Sequence, residues 1–215
     1  MNNTTAMVPP RSALLIVDVQ RDFLPEGSLA VPQGDEVVSI INSLRARATF
    51  PCGVFLSKDW HPPTHVSFCN NHGAEPFSEK TLVSGHRQTL WPPHCVQGTR
   101  GAEFAGGLVV EMGDKVILKG THEEHDSYSA FFDNLKKHQT ELHQCLTVEG
   151  VDTLYVCGLA LDVCVLFTVL DAVALGYNTV LLEDASRALS RASHDSAISK
   201  MRDAGATVST TREVE

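Results

Sequence analysis

The sequence predicts an α/β fold, a three-layer α-β-α arrangement built on a largely parallel sheet of roughly six strands, and three observations support it. Short runs that are apolar throughout alternate with segments of helical spacing, which is the pattern of parallel strands covered on both faces. The chain has 215 residues, of which 43% are hydrophobic, enough for one sizeable core. No internal repeat or low-complexity linker divides it. We therefore expect one Rossmann-like domain over residues 1–215, with a loop-rich insertion at about 59–108.

The first half of the chain predicts three strands and one long helix. Ala13–Val17, Gly53–Leu56 and Val116–Leu118 are short, mostly aliphatic runs and are expected to be buried strands. Between the first two, Asp35–Ala48 has apolar residues three or four positions apart, so we expect a helix that Asp35 can cap. Residues 59–108 are rich in Pro, His and Gly, which is typical of a long functional loop.

The second half of the chain repeats the alternation of strand and helix. Two of its helices end at glycines, which are favoured just beyond a helix C-terminus. Serines near helix starts are typical capping residues. In chain order we expect a short helix capped by Ser127 through Phe131 and Phe132, a helix Gln139–Val148, a strand Leu154–Cys157, a helix Leu161–Leu175 before Gly176, a strand Thr179–Leu182, a helix Ala192–Ala204 before Gly205 with Ser190 or Ser193 near its start, and a strand Ala206–Ser209.

The composition argues against several classes of function. The formal net charge is −9 and the 17 Lys and Arg residues are scattered, so no nucleic-acid or membrane surface is expected. No apolar run approaches the ~20 residues of a membrane span, and the first ten residues lack the basic and apolar parts of a secretory signal. The six cysteines have no disulfide-scaffold spacing. These features favour a cytoplasmic protein in a reducing compartment.

Polar and reactive residues follow four of the predicted strands. Asp18 follows the first strand, Asp59 and His61 the second, Lys119 the third, and Cys164 the fourth, at the start of a helix. In parallel sheets the carboxyl ends of the strands share one edge, where ligands bind. Each residue alone has an ordinary structural explanation, but the four strand ends together indicate an active site. A carboxylate can take the proton of a thiol and an ammonium can polarise that carboxylate, so Asp18, Lys119 and Cys164 form a candidate nucleophile set.

The sequence around Cys164 favours a reactive thiol over an inert one. The strand Leu154–Cys157 ends at Gly158, and Asp162 can cap the helix that follows, so Cys164 falls in the first helical turn. The N–H groups and the positive dipole end of that turn favour a thiolate and offer donors to an oxyanion. No histidine follows a strand near Cys164, so a protease-type Cys–His pair is not expected.

Asp59 and His61 begin a candidate metal site. The two residues are two positions apart, so in an extended segment their side chains face the same side. His65 and His94 could complete the site. Mixed Asp/His ligation suits Zn²⁺, Fe²⁺ or Mn²⁺ with water in the open positions, which is the pattern of a catalytic site. A thiolate zinc site that uses the cysteines of the insertion is less favoured, because the chain has no CxxC motif.

Seven short motifs between Leu14 and about Val208 carry a resemblance to a known family. They are Ile16-Val-Asp-Val-Gln-Arg-Asp-Phe23, Gly27-Ser-Leu-Ala-Val-Pro32, Lys58-Asp-Trp-His-Pro62, Leu90-Trp-Pro-Pro-His-Cys-Val-Gln97, Val116-Ile-Leu-Lys-Gly120, Tyr128-Ser-Ala-Phe131 and Gly158-Leu-Ala-Leu-Asp-Val-Cys164. In these motifs the chain resembles the nicotinamidases of the isochorismatase-like cysteine hydrolase superfamily. The pattern Trp-Pro-x-His-Cys-Val separates nicotinamidases from the other members, which lack the metal.

The resemblance implies a role for each matching residue. It implies a catalytic triad of Asp18, Lys119 and Cys164, and one divalent metal ion, zinc first with iron or manganese as alternatives. It also implies a cis peptide bond at Leu159–Ala160, which aims the Ala160 N–H, with that of Cys164, at an oxyanion. By the same resemblance the metal ligands are Asp59, His61 and His94, with His65 as a second choice, and the substrate pocket is lined by Phe23, Leu29, Trp91, Tyr128, Leu159 and Ala160.

The activity that the resemblance implies is hydrolysis of nicotinamide to nicotinate and ammonia, a step of NAD salvage, without an organic cofactor. Two alternatives remain open. One is another small-amide or ureido hydrolase of the same superfamily, which absence of bound metal would favour. The other is a non-catalytic metal-binding or interaction protein, against which the intact nucleophile set argues. The sequence leaves open the identity of the metal, the breadth of substrates such as pyrazinamide, the formation of a homo-oligomer and the role of residues 69–89.

Overall fold

The computed structural model describes residues 6–83 and 85–214. Ten strands occur among these residues; six form the central sheet and four form two small sheets of two strands each. In chain order the strands are β1 (Ala6–Met7), β2 (Ser12–Val17), β3 (Ala48–Thr49), β4 (Val54–Asp59), β5 (Glu79–Thr81), β6 (Arg87–Thr89), β7 (Lys115–Lys119), β8 (Thr153–Leu159), β9 (Asn178–Arg187) and β10 (Thr207–Ser209).

The central sheet is parallel throughout, in the order β10-β9-β8-β2-β4-β7. Strand β2 lies in the middle, with β4 on one side and β8 on the other. The chain extends the sheet to one edge through β4 and β7, and then to the other edge through β8, β9 and β10, so the direction of winding reverses at β2. Doubly wound sheets bind their ligands at such a reversal, beyond the carboxyl ends of the strands.

Four α-helices cover the two faces of the sheet: α1 (Glu36–Arg47) on one face, and α2 (Leu142–Val148), α3 (Leu166–Ala174) and α4 (Arg191–Ala204) on the other. The alternation of side chains along β2 shows the division. Leu14 and Ile16 lie in the core that α1 covers, whereas Leu15 and Val17 lie in the core under the other three helices. None of the described helices is long and apolar enough to cross a membrane.

The predicted three-layer α/β fold is confirmed, and the predicted strands of the sheet all occur, most of them extended by one to six residues. The helix ends also follow the sequence signals. Ser190 caps α4, because its side chain accepts the N–H of Ser193, and Gly205 follows the last turn with a φ of 105°. Asp35 precedes α1, but it makes no side-chain capping bond to the described residues. Its backbone is already helical, whereas a capping residue needs an extended one.

The prediction of a short helix that begins at Ser127 is wrong. Residues 121–141, all of which are described, contain no helix. The Ser127 hydroxyl donates to the carbonyls of Ser129 and Phe132, and the N–H of Ala130 is taken by Thr168 Oγ1 over 2.9 Å. Side chains therefore satisfy the backbone groups that a helix would have paired, which is how Ser and Thr compete with helical structure.

The insertion between β4 and β7 packs onto the α1 face of the sheet. It contains the antiparallel hairpin β5–β6, and its buried residues Cys95, Ala102 and Ala105 belong to the same core as α1. Arg45 of α1 binds Asp114 through two nitrogens, at 2.8 and 3.0 Å. The segment is loop-rich, but the core and the ion pair fix it beside the carboxyl ends of the central strands.

Candidate active site

Lys119 lies at the centre of a buried polar cluster. Its Nζ, at the end of β7, is 2.9 Å from Asp18 Oδ2, just after β2. The same nitrogen donates to Asp59 Oδ1 at the end of β4 and, over 2.9 Å, to the Ser127 carbonyl. Its distance to Cys164 Sγ is 3.6 Å. The structure thus brings together the residues of the four strand ends that the sequence singled out.

Asp18 is held against Lys119 by Ser57. The φ of Asp18 is +48°, in the left-handed region that non-glycine residues rarely adopt outside turns and functional sites. Ser57 Oγ donates to Asp18 Oδ1 over 2.7 Å, and the Ser57 carbonyl accepts the Asp18 N–H over 3.3 Å. Burial raises the pKa of Asp18 to about 6, although the Lys119 ammonium acts in the opposite direction. A carboxyl group with this pKa is ionised at neutral pH and accepts a proton more readily than an ordinary aspartate.

Cys164 lies in a π-helical turn, Leu161–Val165, that leads directly into α3. Asp162 does not cap this turn; its two carboxylate oxygens accept the N–H of Leu189, over 3.1 and 3.2 Å. Burial raises the pKa of the Cys164 thiol well above its ordinary value, with Lys119 opposing the shift. Burial therefore opposes the thiolate that the helix start favours. The thiol needs a base.

The two carboxylates beside Lys119 have different proton affinities. Burial alone would lower the Lys119 pKa, but Asp18 and Asp59 more than offset it and raise that pKa well above its ordinary value. Burial would also raise the Asp59 pKa, but Lys119 and His61 outweigh it and hold the pKa far below its usual range. Asp59 therefore remains ionised, and Asp18 is the carboxylate that can take up and return a proton. Acid and base roles are assigned to titratable pairs by pKa values that are pushed apart in this way.

Asp59, His61 and His94 are buried, and their ligand atoms lie within 4.8 Å of one another. Nε2 of His61 is 3.5 Å, and Nε2 of His94 is 3.8 Å, from Asp59 Oδ2. The opposite ring nitrogens meet backbone carbonyls, His61 Nδ1 at 2.8 Å from Gly120 O and His94 Nδ1 at 2.8 Å from Pro92 O. Because carbonyls only accept, each Nδ1 carries a proton and each Nε2 can act as a ligand. The donor set fits a divalent ion such as zinc.

Gly120 is required beside this cluster by both conformation and space. Its φ is +62°, and a Cβ at this position would stand 2.2 Å from Cε1 of His61. A larger residue would therefore push the imidazole away from the carbonyl that orients it.

Gln20 and Asp22, which the sequence did not mark as site residues, bind the backbone at and beside the residues of this cluster. The Gln20 side chain accepts the Asp59 N–H and donates to the Asp59 carbonyl, both over 2.8 Å, and also donates to the Ala102 carbonyl over 3.0 Å. Asp22 Oδ2 accepts the N–H of Cys95, the neighbour of His94, over 2.7 Å. Both residues stand in the first motif of the resemblance, within four positions of Asp18, which places them near the site without showing which backbone they bind.

His65 lies next to His61, outside the group formed by Asp59, His61 and His94. Its ring stacks on that of His61, with centroids 4.1 Å apart, and its Nδ1 is 2.8 Å from Ser67 Oγ. Its Nε2 has no hydrogen-bond partner among the described residues. Burial lowers the His65 pKa to about 2. Its ligand atom groups with those of His61 and Asp126, rather than with those of Asp59 and His94.

The cavity in front of Cys164 has both aromatic and aliphatic walls. Trp91 Nε1 donates to Tyr128 Oη over 3.3 Å, and the two rings are nearly perpendicular. Leu159, which the resemblance placed in the pocket, is not among the residues that line the cavity, because it is fully buried in the core on the α1 side, next to Gly34. The cavity is lined by predicted residues Phe23, Leu29, Asp59, His61, Trp91, His94, Tyr128, Ala160 and Cys164, and also by Val31, Asp126, Ser127, Val163 and Leu189, which the sequence did not indicate.

The peptide bond Leu159–Ala160 is cis, as the resemblance implied. Gly158, just before it, has a φ of 121°, and a Cβ there would stand 2.1 Å from the Val17 carbonyl. Strands β8 and β2 therefore approach each other more closely than any side chain at this position would allow. This close approach brings the end of β8 beside the end of β2, where Asp18 stands.

Comparison with known proteins agrees with this fold and shows the family of the chain. The isochorismatase domain model matches residues 12–213. The chain is 44% identical to the nicotinamidase of Escherichia coli K12 over 209 residues, which cover 94% of this chain and 96% of that one. It is 32% identical to the yeast nicotinamidase solved with the inhibitor nicotinaldehyde, with a TM-score of 0.86 over 93% of this chain and 99% of that one. It is also 32% identical to the pyrazinamidase of Pyrococcus horikoshii solved with zinc, with a TM-score of 0.75 over 94% and 99% of the two chains.

The fold and the cluster at the strand ends define a three-layer α/β domain with a cysteine, a lysine and carboxylates at the edge of its sheet. The chain belongs to the isochorismatase domain family, and curated relatives that are 36–44% identical to it are nicotinamidases. It is accordingly an amidohydrolase, an enzyme that acts on a carboxamide C–N bond.

Proposed function

We propose that the protein hydrolyses nicotinamide to nicotinate and ammonia, a step of NAD salvage, with Cys164 as nucleophile and a divalent metal ion that holds the ring. The observation that carries the proposal is one buried cluster in which Lys119 contacts Asp18, Cys164 and Asp59, while Asp59 faces two imidazoles. A non-catalytic metal protein would not need the contacts among Lys119, Asp18 and Cys164. A metal-free amidase would not need the two imidazoles that face Asp59. The E. coli and yeast relatives support the choice of substrate.

The first chemical step forms a thioester and releases ammonia. Asp18 takes the thiol proton as Cys164 Sγ attacks the carboxamide carbon, and Lys119 holds the Asp18 carboxylate in place. The N–H groups of Ala160 and Cys164 are assigned to the tetrahedral oxyanion. Asp18 then gives the proton to the amide nitrogen as the C–N bond breaks. The raised pKa of Asp18 suits proton transfer in both directions, because it brings the proton affinity of the carboxylate closer to those of the thiol and of the departing ammonia.

The second step returns the enzyme to its starting state. Asp18 takes a proton from the water that attacks the thioester carbon, and it returns this proton to sulfur as the C–S bond breaks. One water is consumed, one nicotinate is released, and no electrons are exchanged with a cofactor. The same carboxylate therefore serves as base and acid in both halves of the reaction.

Asp59, His61 and His94 would hold the divalent ion, and we propose zinc, which the P. horikoshii relative was solved with. When bound, the ion supplies a Lewis-acid position for the pyridine nitrogen and so fixes the ring. Phe23 and Trp91 line the cavity between this cluster and the sulfur, where they can flank the ring and exclude water. We further propose that residues 1–215 act as one domain, to which the insertion at about 59–108 contributes the metal side.

Ammonia release from nicotinamide tests the proposal directly. The purified protein is assayed as isolated, after treatment with a chelator, and after restoration with zinc, iron or manganese in separate samples. We expect turnover as isolated, a large loss with the chelator, and recovery with at least one metal. Turnover that is insensitive to the chelator in a protein shown to be metal-free would instead support a metal-free amide hydrolase. No ammonia release from any metal-loaded sample would contradict the proposed activity.

A further inference from the structure

Gln88 lies on β6 in the insertion, in a stretch that contributes no residue to the proposed reaction. Its side chain is only 2% exposed. Its Nε2 donates to Asp126 Oδ2 over 2.6 Å and to the carbonyl of Thr89 over 2.8 Å. Both N–H groups of the amide are therefore used, and one of them is directed at a buried carboxylate. Hydrogen bonds from a buried neutral donor to a carboxylate are among the stronger polar contacts in proteins.

The Asp126 carboxylate connects Gln88 to the catalytic cluster. Asp126 lines the substrate cavity, and its second oxygen, Oδ1, accepts the N–H of Ser127 over 2.8 Å. The Ser127 carbonyl accepts from Lys119 Nζ over 2.9 Å. A chain of hydrogen bonds thus leads from Gln88 to the ammonium that lies beside Cys164.

Segment 126–128 is held from two sides. On one side Asn134, in the same loop, donates its N–H to the Asp126 carbonyl over 2.7 Å and accepts the N–H of Tyr128 over 3.0 Å. On the other side the Gln88 amide reaches the segment from the insertion. Without the Gln88 donor, the Asp126 carboxylate would keep only the Ser127 N–H as a donor among the described residues, with two imidazoles close by, because His61, His65 and Asp126 have ligand atoms within 4.8 Å of one another. A buried carboxylate that loses a donor shifts toward the next available one.

We propose that Gln88 is a positioning residue for the reaction: by holding Asp126 it fixes segment 126–128, keeps the Ser127 carbonyl on Lys119, and keeps the Asp126 carboxylate away from the imidazoles of the metal side. The inference rests on the proposed function. It gives the hairpin β5–β6 a role as a support of the cavity wall, although the hairpin contributes no group that reacts.

A charge swap tests the contact. Gln88→Glu keeps the volume and replaces the donor by a second carboxylate that faces Asp126, so kcat/KM for nicotinamide should fall about tenfold, with kcat reduced as well as KM raised. Asp126→Asn alone should also cost activity, because the side-chain oxygen still accepts the Ser127 N–H and the new NH2 group then faces the NH2 group of Gln88. In the double variant Gln88→Glu/Asp126→Asn the asparagine donates to the glutamate, and its oxygen still accepts the Ser127 N–H. The double variant should recover to within about threefold of the wild type.

The rate of Cys164 alkylation by iodoacetamide is the second readout, and it does not depend on the substrate. We expect it to change in Gln88→Glu and to return in the double variant. If the wild type failed to hydrolyse nicotinamide, the proposed function would be contradicted. The alkylation rates would still test whether Gln88 positions the groups around Cys164. Arg87→Gln, an exposed position on the same strand, is the matched control and should leave both readouts unchanged.

Losses that simply multiply in the double variant would overturn the inference, as would single variants with wild-type kcat/KM and alkylation rates. A lowered unfolding temperature with unchanged kcat and alkylation would show a purely structural role, and would also overturn it. Where Gln88→Glu does not fold, Gln88→Met takes its place, because it removes the donor without adding charge and should give the same loss of kcat/KM.

Discussion

The two halves of the site are held by different kinds of structure. The nucleophile half stands at the ends of parallel strands, or just beyond them, where the register of the sheet sets the spacing. The metal half depends on side chains that bind backbone in the insertion, such as Gln20 on Asp59 and Asp22 on Cys95. The nucleophile half consists of Asp18, Lys119 and Cys164, and the metal half of Asp59, His61 and His94.

Because of this difference, we expect that a substitution in one half leaves the structure of the other half intact. The sheet is built from core packing that a single polar substitution leaves intact, so the thiol and its base should survive damage to the metal half. The metal half has less redundancy, because one carboxylate or one amide orients each stretch of its backbone. Lys119 is the contact between the halves, since its Nζ binds both Asp18 and Asp59.

The largest effect should come from removal of the sulfur. Cys164→Ala should lower kcat by about 10⁴-fold or more, because loss of a nucleophile removes the whole covalent route. Metal content and unfolding temperature should stay near those of the wild type. Cys145→Ala, a partly buried cysteine in α2, is the control and should retain activity. Ammonia release from Cys164→Ala at a near-wild-type rate would sink the covalent mechanism.

The next effect should come from the base. Asp18→Asn should lower kcat about 10³-fold, because an amide cannot take or return the proton in either step. Lys119→Ala should be somewhat milder, since Lys119 orients Asp18 without carrying the proton. The measurement is steady-state kinetics together with the rate of Cys164 alkylation, which should fall in Asp18→Asn. Unchanged alkylation and full turnover in that variant would assign the base to another residue.

Damage to the metal half should leave the thiol reactive. His94→Ala should lose most of its bound metal and bind nicotinamide about 100-fold more weakly, since loss of a ligand should cost at least as much as the 10–100-fold of an outer-shell partner. Cys164 alkylation should remain within about twofold of the wild type. His194→Ala, a histidine on α4, serves as the control for metal analysis. Full metal occupancy in His94→Ala would move the metal site elsewhere, with His65 the first residue to examine.

A smaller loss of metal affinity should follow from a substitution that removes no ligand of the metal half. Gly120→Ala introduces a Cβ that collides with the His61 ring and strains a φ of +62°. Metal affinity should fall about tenfold, because the ring loses its orienting carbonyl. Gly113→Ala, where a Cβ meets nothing within 4 Å, is the matched control. Equal metal affinity in the two variants would show that the carbonyl contact of His61 does not matter for binding.

The sequence predicts the nucleophile half well because its spacing follows from the sheet. Apolar runs identify buried strands, and the residues just beyond them must share an edge once the strands are parallel. The helix wrongly expected at Ser127 shows a limit of the same reasoning, since Ser127 and Thr168 satisfy the backbone by contacts that no local pattern contains. The raised pKa of the Cys164 thiol is a second case, because burial by the assembled fold decides it.

The side chains that support the site through long-range contacts are the part that sequence reasoning could not assign. Gln20 and Asp59 are 39 residues apart, and Gln88 and Asp126 are 38 apart. Such contacts exist only after the insertion has packed on the sheet. Glutamines at these positions carry no charge pattern and no ligand spacing, so local rules give them no role.

The ratio of nicotinamide to benzamide turnover tests the separation of the two halves most directly. The two amides share the carboxamide that Cys164 would attack, but benzamide lacks the ring nitrogen that the metal half would hold. Metal-loaded protein should prefer nicotinamide by at least about tenfold in kcat/KM, a difference of roughly 1.4 kcal/mol. After metal removal the preference should shrink toward unity, while Cys164 alkylation stays unchanged. Equal turnover of the two amides by the metal-loaded protein would contradict the account, because it would leave the metal half without a part in holding the ring.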